Sequence, residues 1–407
     1  MIEIDPDRPL GRGYSRASGR PGIRNKLLIL YTVECSKHVC LRIEERFRAD
    51  RQVDCVGNEA CAKNDVVLRE LFALIRHPNT GAVLVVGMGC EEIRVQELLS
   101  VCDATGKPRR SLLVQDAGGT ERSIAAGIRL AEELLSEIRH EPDVDLFWRD
   151  LCVGAECGSS DYSSMIAANP LVGAFMDHLA AAGGTGVIAE MAETVGLRDA
   201  ILARAANERA ARDLARTYDK MLAYCKKTGR YSISPGNYLG GLSTIEEKSA
   251  GAFIKSGHSP LSGILKLGQN APDSGMWIVD EFPDFLPSPD SFRGGDASSM
   301  LHLAAAGCQL VFLTTGRGHV AGIPLSPVIK ITGNRETVRR MKDDIDFDVS
   351  PVTEGEESPE SALRRLVGQV LATISGTQTF SEQHGVNLCS IPFSDQLEGR
   401  VIDRLYY

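Results

Sequence analysis

Residues 27 to 38 read LLILYTVECSKH: seven uncharged residues, Leu27 to Val33, run directly into Glu34, Cys35, Ser36 and His38. A short continuous apolar run of this kind fits a strand buried on both faces, as in parallel sheets covered by helices. Similar runs recur at Ala82 to Gly87, Leu112 to Val114, Leu151 to Val153, Val187 to Ala189, Met276 to Val279, Leu310 to Thr314, Val328 to Ile331 and Val386 to Ile391. Amphipathic stretches lie among them, such as 91–100 (EEIRVQELLS) and 120–140 (TERSIAAGIRLAEELLSEIRH), the second with Thr120 as its N-cap. This strand, loop, helix rhythm predicts an α/β fold of two Rossmann-like halves with mostly parallel sheets. Residues 197–227, rich in Ala, Arg and Glu, predict one long helix joining the halves, so the expected domains are 1–229 and 230–407.

The 407 residues suffice for two domains, because single cores stop growing near about 250–300 residues. A net charge of -9 weighs against a nucleic-acid-binding protein and favours small-molecule partners. The first 25 residues lack the apolar core of a secretory signal, and no apolar run approaches the length needed to cross a bilayer. A cytoplasmic protein without membrane attachment is therefore expected. Eleven cysteines, an odd number with no Cys-x-x-Cys pair, point to reduced thiols, so any metal site must be assembled from distant loops.

In open α/β sheets, ligands gather beyond the carboxyl ends of strands. Three predicted strands end in a cysteine with acidic or hydroxyl neighbours: Cys35 beside Glu34 and Ser36, Cys90 beside Glu91, and Cys157 between Glu156 and Ser159, Ser160 and Asp161. Each cysteine alone is accounted for as a small buried residue filling space. Taken together, and joined by Cys61, they suit a shared thiolate and carboxylate metal site for iron or zinc. His38 and His319 are weaker candidates. In 234–260 (SPGNYLGGLSTIEEKSAGAFIKSGHSP), Ser243 and Glu246 form a capping box. Before that helix, Gly236, Asn237, Gly240 and Gly241 make a loop suited to cradling a carboxylate, with Lys248 and Lys255 supplying positive charge. Thr314-Thr315-Gly316-Arg317-Gly318 follows an apolar strand and combines close backbone approach with a guanidinium that reads a carboxylate. Residues 283–295, dense in Pro, Gly, Asp and Ser, read as a functional loop.

The motifs GIRN (22–25), HPNTGAVLVVGMGCE (77–91), ECGSSD (156–161), ANPLVG (168–173), GGTGVIAEMAETVG (183–196), SPGNYLGGLSTIEEKS (234–249) and TTGRG (314–318) together resemble the altronate and galactarate dehydratase family of sugar-acid hydro-lyases. That family includes the large subunit of sulfolactate sulfo-lyase. The resemblance runs from about residue 10 to the C-terminus. It implies a metal-dependent lyase, with Fe2+, Mn2+ or Mg2+ as the ion, acting on a small hydroxylated acid. Carried onto this sequence, it implies Lys248, Glu190 and Glu193 as catalytic groups. Ser159, Ser160, Asp161, Asn237, Thr315 and Arg317 become substrate contacts, and Cys35, Cys61, Cys90, Cys157 and Glu91 metal ligands. Two departures stand out: the His that aldarate-dehydrating members carry before a Gly-Cys pair is absent from CVGNEACAKND (55–65), and so is their extra small N-terminal domain. A separate small subunit is expected to supply that domain, within an oligomer.

The chemistry explains the residue types. Removing a proton alpha to a carboxylate builds negative charge on oxygen, which a bound cation lowers in energy. Lys248 is the expected base, its pKa lowered by neighbouring cations. The alternatives are release of sulfite from sulfolactate or lyase chemistry on another small hydroxy acid, and the non-enzymatic alternative is a subunit that only binds a sugar acid.

Overall fold

The computed structural model describes residues 7–229, 231, 233–282, 295–388 and 391. Its strands, in chain order, are β1 (Gly11–Gly13), β2 (Lys26–Tyr31), β3 (Val53–Gly57), β4 (Thr80–Gly87), β5 (Arg109–Leu113), β6 (Val144–Leu146), β7 (Cys152–Cys157), β8 (Thr185–Ile188), β9 (Leu261–Lys266), β10 (Gly275–Asp280), β11 (Leu310–Thr314), β12 (Val328–Thr332) and β13 (Phe347–Asp348). Two parallel sheets result, one of four strands in the order β3-β2-β4-β5 and one of seven in the order β13-β12-β11-β7-β8-β10-β9. A small antiparallel pair joins β1 to β6. The α/β class and the parallel sheets match the sequence reading.

Side-chain alternation along β2 shows why its apolar run is continuous. Leu27 and Ile29 pack under helices Glu34–Arg46 and Thr120–Glu137, whereas Leu28 and Leu30 face helices Asp65–Arg76 and Val95–Thr105. Those two helices, with helix Asp296–Ala305, share one continuous core with Val187, Leu265, Val311 and Leu313 of the larger sheet. Helices Asn169–Ala181, Glu208–Thr228 and Pro359–Ile374 cover its other face. The sheets point the same way. Near their starts, Asn79 Nδ2 donates to Gln309 O and the Leu325 N–H donates to Asp54. Further along, Glu70 and His302 pair between two helices that begin at the carboxyl ends of their respective sheets. Both sets of strand ends therefore open on one side of the molecule.

The larger sheet takes β7 and β8 from before residue 229 and β9 to β13 from after it, so the chain passes between sheets within 114–151 rather than at the long helix. That helix lies on the larger sheet through Leu214, Tyr218 and Met221. The helical pattern is also interrupted. Helix Arg198–Ala203 stops, Ala206 N–H donates to Leu261 O, Leu261 N–H donates to Arg204 O, and Asn207 caps a new helix. Residues 235–239, expected as a loop, form a short helix capped by Ser234. The next helix starts one residue late, with Thr244 and Glu247 as its capping box and Ser243 also donating to Glu247. Val386 to Leu388 form no strand, and most of 283–295 lies outside the described residues.

Candidate active site

Within the larger sheet the chain turns back at β7: β8, β10 and β9 lie to one side and β11, β12 and β13 to the other. Such a switch point leaves a crevice at the strand's carboxyl end, where no crossover connection fills the space. A cavity of about 910 Å³ opens there, lined among others by Cys157, Glu190, Glu193, Lys248, Asp296 and Arg317. Two residues at its floor, Ser159 (φ 51°) and Glu190 (φ 64°), hold left-handed backbone without being glycine, a conformation that persists where surrounding contacts over-determine it.

The buried centre is a charge-paired cage. Cys157 N–H donates to Glu190 Oε2 at 2.9 Å, and its thiol donates to Glu193 Oε2 at 2.9 Å. Lys248 and Lys255 stand seven residues apart, two helical turns, and reach the same spot. Lys255 Nζ lies 2.8 Å from Glu190 Oε2 and 3.2 Å from Cys157 Sγ. Lys248 Nζ pairs with Glu193 Oε1 and lies 3.3 Å from Ser160 Oγ. Burial, then Glu190 and Glu193, push the Cys157 thiol up against the opposing pull of the lysines, so it stays protonated. Burial alone would lower both lysines, but the combined field of Cys157, Glu190 and Glu193 outweighs it and raises them. With sulfur neutral, the carboxylates do this holding. Burial also works against the charged form of Glu190, yet Lys255 and Lys248 bring its pKa below the ordinary value. The expected lowering of Lys248 is thus reversed: two negative partners surround it, and it is an ammonium ion.

Around the cage, the candidate substrate contacts divide. Arg317 is exposed at the cavity, its guanidinium making one hydrogen bond among the described residues, to Gly236 O at 3.3 Å. Ser159 lines the cavity, and its carbonyl accepts from Gly316 and Arg317 N–H groups. Ser160 is enclosed beside Lys248. Asp161, Asn237 and Thr315 are occupied elsewhere. Asp161 accepts from Ser163, Ser164 and Asn334; Asn237 braces Ser234 and Ser160 O; Thr315 Oγ1 accepts from Gly318 N–H. Asp161 and Thr315 shape the loops without lining the cavity, whereas Asn237 both braces its loop and lines the cavity. A Cβ on Gly316 would lie 2.1 Å from the Asp161 carboxyl, which its hydrogen bonds lock in place. Gly316→Ala is accordingly expected to cost about 1–3 kcal/mol in denaturant unfolding, the cost of overpacking a close-packed site. An unchanged midpoint would show that the loop yields freely.

The five expected metal ligands do not form one centre. Cys35, Cys61 and Cys90 are exposed beyond β2, β3 and β4 of the smaller sheet, whereas Cys157 is buried in the larger one. The loops that carry the three exposed thiols are neighbours, since Asn58 ties Thr32 O to Ala60 O and Glu92 N–H donates to Cys61 O, but the three sulfur atoms do not gather within 4.8 Å of one another. Partial desolvation, followed by the fields of Cys35, Cys90, Glu91 and Glu92, raises the Cys61 thiol. Glu91 is not a free ligand, because its carboxylate accepts from Thr32 and from the N–H groups of Met88, Gly89 and Cys90. In the larger sheet, ligand atoms of Cys157, Glu190 and Glu193 lie within 4.8 Å of one another and could hold a metal ion. The Lys248 and Lys255 ammonium groups already compensate that group, so it fits a cation poorly.

Sequence reasoning left Glu281 and Asp296 out of the candidate set. Glu281 Oε2 accepts the Glu190 N–H at 2.8 Å, and Asp296 pairs with His319. Glu281 follows β10 directly, so its strand-end position was the available signal.

Residues 13–139 match the family described as D-galactarate dehydratase/Altronate hydrolase, second domain, and residues 148–394 match D-galactarate/Altronate dehydratase, C-terminal. The chain is 31% identical to an altronate dehydratase of Bacillus subtilis over 385 residues, covering 90% of this chain and 74% of that protein. It is 32% identical to (2R)-sulfolactate sulfo-lyase subunit beta of Chromohalobacter salexigens, covering 92% and 94%. Against galactarate dehydratase (L-threo-forming) of Escherichia coli the identity is 31%, covering 92% and 75%. The chain therefore belongs to the D-galactarate/altronate dehydratase family of sugar-acid hydro-lyases.

Proposed function

We propose that this chain removes water from a small hydroxylated carboxylic acid of the sugar-acid class to give a 2-oxo acid. The observation that carries the reading is the pairing of Lys248 and Lys255 with Glu190 and Glu193 at the floor of a cavity that also presents Arg317. Arg317 suits the substrate carboxylate, since a guanidinium meets it with two parallel donors. Glu193 takes the proton alpha to that carboxylate, and the lysine ammonium groups offset the charge that develops on oxygen. Lys248 gives a proton to the departing beta hydroxyl, which leaves as water. Because Lys248 touches Glu193, the abstracted proton returns to the lysine and the cage is restored. The enol then tautomerises to the 2-oxo acid. A panel of sugar acids incubated with the chain should yield 2-oxo acid from at least one. Binding of an acid without turnover, in protein loaded with iron or manganese, would favour a binding subunit instead.

The family resemblance implies iron, and the Cys35, Cys61 and Cys90 thiols are the soft donor set that suits it. Held by Cys35, Cys61 and Cys90, iron would supply Lewis acidity. Protein purified without oxygen should contain iron that Cys61→Ser loses in elemental analysis. Iron content unchanged by that substitution would remove the thiols from the proposal.

A second reading, elimination of sulfite from a sulfonated hydroxy acid with a separate small subunit, is supported by the match across 94% of the sulfo-lyase subunit. Sulfite release in a coupled assay separates the two.

A further inference from the structure

Among the described buried carboxylates outside the charge-paired cage, Glu156 has both oxygens without a hydrogen-bond partner among the described residues. It lies in β7 and is fully buried. Burial, then the charges of Glu190 and Glu281, push its pKa far up, with Asp296 adding to the effect and Lys255 opposing it. Protonation would remove the charge, but one proton serves only one of the two orphaned oxygens. Orphaned polar atoms at such depth cost about 1–3 kcal/mol each, more if charged. A cation answers both demands.

We propose that Glu156, Glu190 and Asp296 bind a divalent cation that prefers oxygen ligands, such as Mn2+ or Mg2+, at the cavity wall that Glu190 and Asp296 line and apart from the three exposed thiols. One oxygen from each carboxylate lies within 4.8 Å of the others. Three carboxylate oxygens form a hard donor set, which leaves coordination positions for water or a substrate oxygen. Lys255 stays hydrogen-bonded to Glu190, but among the described residues no ammonium ion is hydrogen-bonded to Glu156 or Asp296, so two of the three carboxylates lack a lysine partner. The surroundings also hold Asp296 in position. His319 Nδ1 accepts the Ala321 N–H, so Nε2 carries the proton and donates to Asp296 Oδ2 at 3.0 Å. At Gly158 a Cβ would lie 2.3 Å from Asp296 Oδ2, so the missing side chain lets this carboxylate approach the end of β7. The proposed role for the ion, holding the acid substrate, rests on the lyase reading; the site itself does not.

The test is Mn2+ binding to the chelator-treated chain, followed by titration calorimetry and by the loss of the free-ion magnetic resonance signal. The native chain is expected to bind Mn2+. Glu156→Gln, which keeps the shape, and Asp296→Asn, at the cavity surface, should each weaken binding by at least about tenfold, as should His319→Ala. Cys61→Ser should bind Mn2+ as the native chain does. No Mn2+ binding by the native chain, or unchanged binding by both carboxamide variants, overturns the site. Asp296→Asn keeps the test valid where Glu156→Gln does not fold. Binding that follows this pattern with no acid dehydrated would sink the lyase reading and leave the site standing. Full dehydration by chelated protein that binds no Mn2+ would do the reverse.

Discussion

Lys248→Met is expected to lower kcat by about 10²–10³, the effect of removing one preorganised donor from a water-excluded site. The ammonium group sits between Glu193 and Ser160, enclosed by protein, so no solvent cation can take its place. Its task arises when charge develops on the substrate, and kcat should therefore fall together with kcat/KM rather than KM rising alone. Methionine matches the length of the stem while removing the charge, so lost packing contributes little. Arginine should not rescue the activity, because its planar fork cannot occupy a point surrounded by Glu193, Ser160 and Cys157. Steady-state kinetics on the best substrate from the acid panel would settle it. Turnover within tenfold of the native chain would take Lys248 out of the chemistry.

What the sequence made legible, and what it hid, follows from the range of the interactions. The runs at 27–33, 82–87 and 310–314 announce themselves because both faces of those strands are covered by helices, leaving no polar alternation. Strand β3 is masked by Asp54, whose charge is met by Lys26 on the neighbouring strand, and β9 by the alternation of LSGILK at a sheet edge. The strand-end rule pointed to Cys157, the helix cluster to Lys248 and the family motifs to Glu190, and all three line one cavity. The strand-end rule also grouped Cys35 and Cys90 with Cys157, since it says nothing about which strands share a sheet. Asp161 was misread for a local reason visible in hindsight: Ser163 and Ser164 stand two and three residues on, the spacing at which an aspartate holds a turn for itself. The link from Lys255 to Glu190 spans 65 residues and exists only because the helix bearing the lysine packs over the end of β8. No local pattern encodes it.

That same link sets the largest expected stability effect. Lys255→Met should destabilise the fold by about 3–5 kcal/mol near neutral pH, because removing one partner of a buried ion pair leaves the other charge uncompensated. The sign with pH is fixed by the two shifts. Lys255 is raised above the ordinary 10.5, so its contribution is complete below that value and is lost as the pH rises through the folded-state pKa. Glu190 is lowered from the ordinary 4.5, so its contribution is present above that value and is lost as the pH falls through the folded-state pKa. The deficit of the variant should therefore be greatest on the plateau between these limits and shrink on acidification below about pH 4.5, where the carboxylate takes up a proton. Glu190→Gln in the Lys255→Met background should restore part of the loss, since the second change removes the stranded charge. Urea unfolding of the native chain, both single variants and the double variant across this range gives the full cycle. A deficit that is small and flat with pH would mean that the lysine and the glutamate are solvated and independent, and the cage would lose its electrostatic basis.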